Sequence, residues 1–108
     1  MSNYDIAKNL NTSIETLSRL ANDNNWRVRC RVSRNPNTPP ETLERLADDE
    51  DWGIRCGVAR NPNTPPETLE RLADDDSWFV RSGVANNPNI PQYIRTYLKI
   101  KEFLNYYE

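Results

Sequence analysis

The chain has 108 residues, 36% of them hydrophobic and 28% charged, with a net charge of −2 at pH 7. That length supports one domain at most, and so few apolar residues serve best in a stack of like layers, each burying its face on the next. The pI of ≈ 5.2 argues against a general nucleic-acid binder, and no apolar run reaches the ~18–20 residues that cross a membrane.

The first segment, Met1 to Leu10, has neither the basic start nor the apolar run of a signal peptide. The chain therefore reads as soluble and cytoplasmic. Tyr4, Ile6, Ala7 and Leu10 predict a short N-terminal cap over residues 1–8. Three tandem copies of 26 residues follow: NLNTSIETLSRLANDNNWRVRCRVSR over 9–34, NPNTPPETLERLADDEDWGIRCGVAR over 35–60 and NPNTPPETLERLADDDSWFVRSGVAN over 61–86. Trp26, Trp52 and Trp78 fix the register, and a period of this size marks a repeat array.

Each copy predicts two helices. Thr12, Thr38 or Thr64 is expected at the first N-cap, with Glu15, Glu41 or Glu67 three residues on completing a capping box. Pro39 and Pro65 suit the first helical position. Leu17, Leu20 and Ala21, with Leu43, Leu46, Ala47 and Leu69, Leu72, Ala73, then share one helical face. Asn25, Asp51 and Ser77 are predicted N-caps of the second helix, whose inward side carries Val28 and Val32, then Ile54 and Val58, then Val80 and Val84. Gly53, Gly57 and Gly83 weaken that helix, so part of it is expected as 3₁₀. Asn35, Asn61 and Asn87 are placed for a left-handed C-cap, with Pro36, Pro62 and Pro88 blocking continuation. The tail, 87–108, predicts an amphipathic capping helix with a stripe of Tyr93, Tyr97, Ile100, Leu104 and Tyr107, flanked by Ile94 and Leu98. Such an aromatic tail favours a stack that ends with it.

The string NPNTPPETLERLA, followed by a tryptophan-bearing loop and IRCGVAR, resembles the variant leucine-rich repeat family over roughly Asn9 to Pro91. That resemblance implies an all-α, right-handed, HEAT-like solenoid of alternating α and short α or 3₁₀ helices. It supplies no catalytic residues, and the cysteine-rich cluster-binding segment of some members has no counterpart here. No cofactor follows from it.

Candidate chemistry is sparse. Cys30 and Cys56 share a column with Ser82. Helices pack ~8–10 Å apart while a disulfide needs Cα atoms within ~7 Å, so the pair is expected as small, buried, reduced thiols. Without histidine the chain lacks the usual general base and zinc ligand. The acidic runs Asp48-Asp49-Glu50-Asp51 and Asp74-Asp75-Asp76 lack the alternation and central glycine of a calcium loop, so no metal site and no enzyme is read. Residues repeated in every copy point to architecture: an Arg29, Arg55, Arg81 column tied to an Asp23, Asp49, Asp75 column, and an aromatic spine of Trp26, Trp52 and Trp78.

Function is sought where the copies disagree. Arg27, Arg31 and Arg34 share one helical face; their counterparts are Gly53, Gly57 and Arg60, then Phe79, Gly83 and Asn86. The first copy carries +3 (five arginines against Glu15 and Asp23), the second and third −3 each. This predicts a non-catalytic binding or scaffolding module, with Arg27, Arg31, Arg34, Arg60 and Phe79 contacting an acidic protein partner. Contact of the Arg27/Arg31/Arg34 stripe with nucleic acid or a phosphate ligand is the alternative. Head-to-tail self-association of basic and acidic layers is a third.

Overall fold

A computed structural model describes residues 1–106; Tyr107 falls outside the described residues. The elements in chain order are α1 (Asn3–Lys8), α2 (Ile14–Leu20), α3 (Trp26–Arg34), α4 (Pro40–Leu46), α5 (Trp52–Arg60), α6 (Pro66–Leu72), α7 (Trp78–Ala85) and α8 (Gln92–Tyr106). They stack into a solenoid of 51 × 22 × 16 Å, all-helical among the described residues. No helix among them is long and apolar enough to cross a membrane.

Two rows of helices run along the stack. The second helices α3, α5 and α7 pack directly on one another, and α1 packs on α3 in the same way. The first helices are joined instead by side chains: the Ser18 and Thr42 hydroxyls lie 2.8 Å apart, Arg45 reaches the Ser18 carbonyl at 3.2 Å, and Arg71 pairs with Asp48 at 2.9 Å. Between the rows lies a single apolar seam, in which Leu17, Leu43, Leu69, Val32, Ile54, Val58, Val80 and Val84 are fully or almost fully buried.

The turn from one layer to the next departs from expectation in three respects. The N-caps of α2, α4 and α6 are Ser13, Pro39 and Pro65, not the threonines, and Pro40 and Pro66 take the first helical position. The threonine hydroxyls turn backwards: Thr12, Thr38 and Thr64 donate to the carbonyls of Ile6, Val32 and Val58 at 2.5, 2.6 and 2.6 Å. Each of these carbonyls already accepts the N–H of its C-cap residue, and the hydroxyl fills its second lone pair. Second, Asn35 and Asn61 have extended backbones (φ −74° and −75°), and no non-glycine residue among those described has positive φ. Their side chains do the capping. Each Oδ1 accepts the N–H two residues on, from Asn37 or Asn63 at 2.9 Å. Each Nδ2 crosses to the preceding layer: Asn35 to the Ala7 and Asn9 carbonyls, Asn61 to those of Ser33 and Asn35, Asn87 to those of Ala59 and Asn61, all at 2.7–3.0 Å. Third, the second helices are α-helices of eight or nine residues, longer than the seven-residue first helices, and no 3₁₀ segment occurs among the described residues. Packing between layers outweighs the weak propensity of their glycines.

The same geometry identifies the ends. Asn35 and Thr12 treat α1 as later residues treat α3 and α5, so α1 stands where the second helix of a preceding layer would stand. Ala7 is buried and Tyr4 and Ile6 pack on the core, whereas Leu10, expected with them, is 62% exposed. At the other end Ile94 and Leu98 seal the last layer. The tyrosines lie outside, their hydroxyls on carboxylates of α6 and its following loop: Tyr93 on Glu70, Tyr97 on Asp74. Ile100 and Leu104 are 54% and 55% exposed. Arg95 and Lys99 occupy the columns that hold Leu69 and Ala73 one layer earlier.

A half-buried ion pair links successive loops. Arg29 binds Asp49 through Nε at 2.8 Å and Arg55 binds Asp75 likewise, with side-chain exposures of 15% and 10%, then 16% and 9%. Each guanidinium also donates to its own loop, to the Asp23 or Asp49 carbonyl at 2.9 Å. Asn3 holds Asp23 at 3.0 Å in the arginine's place. Arg81 donates to the Asp75 carbonyl at 2.7 Å but has no carboxylate among the described residues, because Lys101 stands where the next aspartate would fall. Burial pushes the Asp75 carboxyl up. The hydrogen bonds from Arg55 and the Ser77 N–H, with the Arg55 charge, outweigh that and leave it below its ordinary 3.8. A depressed carboxyl stabilises the fold above its unfolded pKa and loses that contribution as pH falls through its folded value. Asp75→Asn should therefore lower stability at neutral pH and flatten its decline below about pH 3.9, as urea denaturation between pH 2 and 7 would show.

Candidate binding face on the second helices

The N-cap of each second helix aims the residues that follow it. Asn25 Oδ1 accepts the Arg27 N–H at 2.9 Å and Asp51 Oδ1 the Gly53 N–H at 2.8 Å; Ser77 makes no side-chain cap bond. This places the tryptophans at the first helical position, at the surface. Trp26, Trp52 and Trp78 are 53%, 50% and 61% exposed, so they form no spine between layers. The buried seam is filled by Val, Ile and Leu, and the indoles lie along one rim of the second-helix face.

Arg27, Arg31 and Arg34 do meet on one side of α3. With Tyr4, Asn25, Trp26 and Cys30 they line an open hollow of about 490 Å³. Arg27 lies over the Trp26 ring, 5.6 Å from its centroid. Arg31 lies 4.9 Å from the Tyr4 ring centroid and donates to its hydroxyl at 2.6 and 2.9 Å. That contact docks α1, so Arg31 has a structural part that the expected free stripe did not include. A second hollow, about 540 Å³, adjoins the first: Arg34 lines both, and Cys56, Gly57, Arg60, Asn61 and Pro62 complete it. No carboxylate is in either lining. None of Arg27, Arg31, Arg34 or Arg60 forms an ion pair among the described residues.

The glycines in this face are not neutral drift. A Cβ on Gly57 would meet Ser33 Oγ at 2.0 Å, and one on Gly83 would meet the Ala59 Cβ at 3.0 Å. These two fix the approach of α3 to α5 and of α5 to α7. The stems of Arg34 and Arg60 lie over the same glycines, with Cγ 3.3 and 3.5 Å from where those Cβ atoms would stand. Gly53 differs, since a Cβ there would meet Asp51 Oδ1 at 3.1 Å and nothing else. Cys30 and Cys56 are free and half-buried, more open than expected. Cys56 Sγ donates to the Phe79 carbonyl at 3.5 Å.

Phe79 completes the face. It stacks on Trp52 (centroids 4.9 Å, 22°) and meets Trp78 edge-on (5.4 Å, 78°), and remains 54% exposed. Its column, position by position, is that of Arg27. The stacking partner was not foreseeable from the repeat, because the ring reaches back one layer to Trp52.

The repeating unit of the structure, counted from one tryptophan to the next, also has a sequence counterpart. The family model for the leucine rich repeat variant matches residues 26–51 and again 52–77, in phase with Trp26 and Trp52. The two matched repeats, residues 26–77, are leucine-rich repeat variants. No curated protein and no solved structure matches the chain. These repeats are helical units, and the family match brings no set of catalytic residues.

Proposed function

We propose that this helical repeat stack is a non-catalytic protein-binding module whose second-helix face holds an acidic segment of a partner. The observation that carries the reading is the pair of adjoining hollows lined by Arg27, Arg31, Arg34 and Arg60 without a carboxylate. Elsewhere the guanidiniums of Arg29, Arg55 and Arg71 are engaged with aspartates of the fold. Arginine in such a hollow offers forked donors matched to carboxylates, and the acidic remainder of the molecule directs an acidic segment toward this end.

Charge reversal tests it. Arg27→Glu, Arg34→Glu and Arg60→Glu together should leave the melting temperature within a few degrees of wild type, since glutamate keeps the Cβ and Cγ that cover Gly57 and Gly83. Arg31 is left in place because it docks α1. Peptides selected from a random display library on the wild-type chain should be rich in Asp and Glu, and the triple variant should bind them at least tenfold more weakly. Selection of peptides without acidic enrichment would sink the reading. A salt-dependent electrophoretic shift of single-stranded or duplex nucleic acid, abolished by the same variant, would move the face to a phosphate backbone instead.

A further inference from the structure

The face that carries the arginines continues into the one exposed ring cluster beside them, Trp52, Trp78 and Phe79. The rings brace each other, Phe79 stacked on Trp52 and edge-on to Trp78, so their outer faces are set before anything binds. Prepaid ordering of this kind is what makes an aromatic patch a good anchor. Gly53 presents no side chain between the Arg27 end and the rings, and its lone Cβ neighbour would be the capping Asp51 Oδ1. The path from the arginine hollows to Phe79 is therefore unobstructed by the intervening layer.

Charge gives the path a direction. The arginine hollows contain no carboxylate, whereas the rings adjoin the acidic loops, with Asp76 96% exposed and Asp51 at the helix start beside Trp52. An acidic group is attracted to the first and repelled from the second. An apolar residue finds a ring cluster braced for stacking at the second, whereas the Trp26 ring in the first layer stands alone with the Arg27 guanidinium 5.6 Å from its centroid.

We infer that the partner segment is bipartite, with acidic residues on Arg27, Arg34 and Arg60 and one aromatic or large aliphatic anchor on Trp52 and Phe79. This rests on the reading of the face as a site for an acidic protein segment. Arg27 and Phe79 share a column two layers apart, which at ~8–10 Å per helix step is roughly 16–20 Å. An extended chain rises ~3.3–3.6 Å per residue, so about five or six residues separate the two groups.

The test uses fluorescein-labelled synthetic peptides with one phenylalanine, a Gly/Ser spacer of one, five or nine residues, and three glutamates, titrated into the full chain by anisotropy. The five-residue spacer should bind at least tenfold tighter than the one-residue spacer, which brings the glutamates to Arg60 but falls short of Arg27, while the nine-residue spacer should lose little, as flexible linkers do. Phe79→Ala should reduce the five-residue peptide to the affinity of a glutamate peptide without phenylalanine, and leave that control peptide unchanged. Phe79 is half exposed and outside the buried seam, so the variant should stay folded, with its melting temperature lower by only a few degrees for the lost ring contacts. A second variant, Gly53→Gln, places an uncharged side chain in the path and should weaken the long peptides alone. Equal affinities for all spacers, indifferent to Phe79, would overturn the bipartite arrangement and leave the arginine site standing. Failure of every glutamate peptide to bind would remove both.

Discussion

Asn61→Ala should destabilise the chain by about 3 kcal/mol, from the ~1–3 kcal/mol that each stranded buried polar group costs. Asn61 is 2% exposed, and its Nδ2 reaches the Ser33 carbonyl at 2.9 Å and the Asn35 carbonyl at 3.0 Å. The Asn35 carbonyl keeps the Thr38 N–H. Ser33 lies in the last turn of α3, and the Asn37 N–H that would close the next helical bond is given to Asn35 Oδ1. Its carbonyl is therefore stranded when Asn61 is cut back, and the Asn63 N–H loses Oδ1 as well. In a domain whose whole stability is ~5–15 kcal/mol, that is a large fraction.

Asn61→Asp sharpens the test, because it keeps the shape and the acceptor for Asn63 but exchanges the donor for a charge facing two carbonyls. Burial and those carbonyls raise the carboxyl's folded pKa above its unfolded value of about 3.9. Such a group is least harmful when protonated in both states, and its penalty grows as pH rises through and beyond that value. Relative to wild type at the same pH, Asn61→Asp should therefore be worse at pH 7 than at pH 3. Urea midpoints for both variants at both pH values decide the matter, and an alanine variant as stable as wild type would show the asparagine column to be ornament.

This column also marks what could and could not be read from sequence. The solenoid was legible because Trp26, Trp52 and Trp78 recur at a fixed interval and Leu17, Leu43 and Leu69 keep helical spacing with their neighbours. That asparagine and proline would end a helix followed from local rules. What those rules miss is that a buried polar side chain in a repeat has the previous layer within reach. Asn61 caps through its amide across layers, not through a left-handed backbone, and Thr38 spends its hydroxyl on Val32 instead of on its own helix. A column of buried polar residues with the repeat's own period is the signal that points to such ties. The arginine face was legible as an exception to the repeat. Its ring cluster was not, since nothing in the period says that Phe79 lies over Trp52. Nor did the period show that Gly57 and Gly53, four apart on one helix, have opposite roles.

Gly57→Ala should be destabilising by about 2 kcal/mol, although the same change in an exposed helix interior stabilises by ~1 kcal/mol. The new methyl would stand 2.0 Å from Ser33 Oγ and 3.0 Å from Ser33 Cβ. Ser33 cannot simply turn away: it is fully buried, and its hydroxyl donates to the Cys30 carbonyl at 2.7 Å. Relief requires α3 and α5 to separate, which disturbs a close-packed seam at a cost of ~1–3 kcal/mol beyond the propensity gain. Gly53→Ala carries the opposite sign. Its methyl meets only the far end of Asp51, and Arg27 in the same column shows that a side chain is compatible with the equivalent cap from Asn25. A gain of ~0.5–1 kcal/mol is expected there. Ser33→Gly in the Gly57→Ala background should recover most of the loss, because it reverses which helix supplies the bare surface, and a double-mutant cycle over the two positions should show coupling of at least ~1 kcal/mol. If Gly57→Ala and Gly53→Ala shift the urea midpoint in the same direction, the close approach of the second helices is not what the glycine column is for, and the groove that Arg34 shares between two layers loses its structural basis.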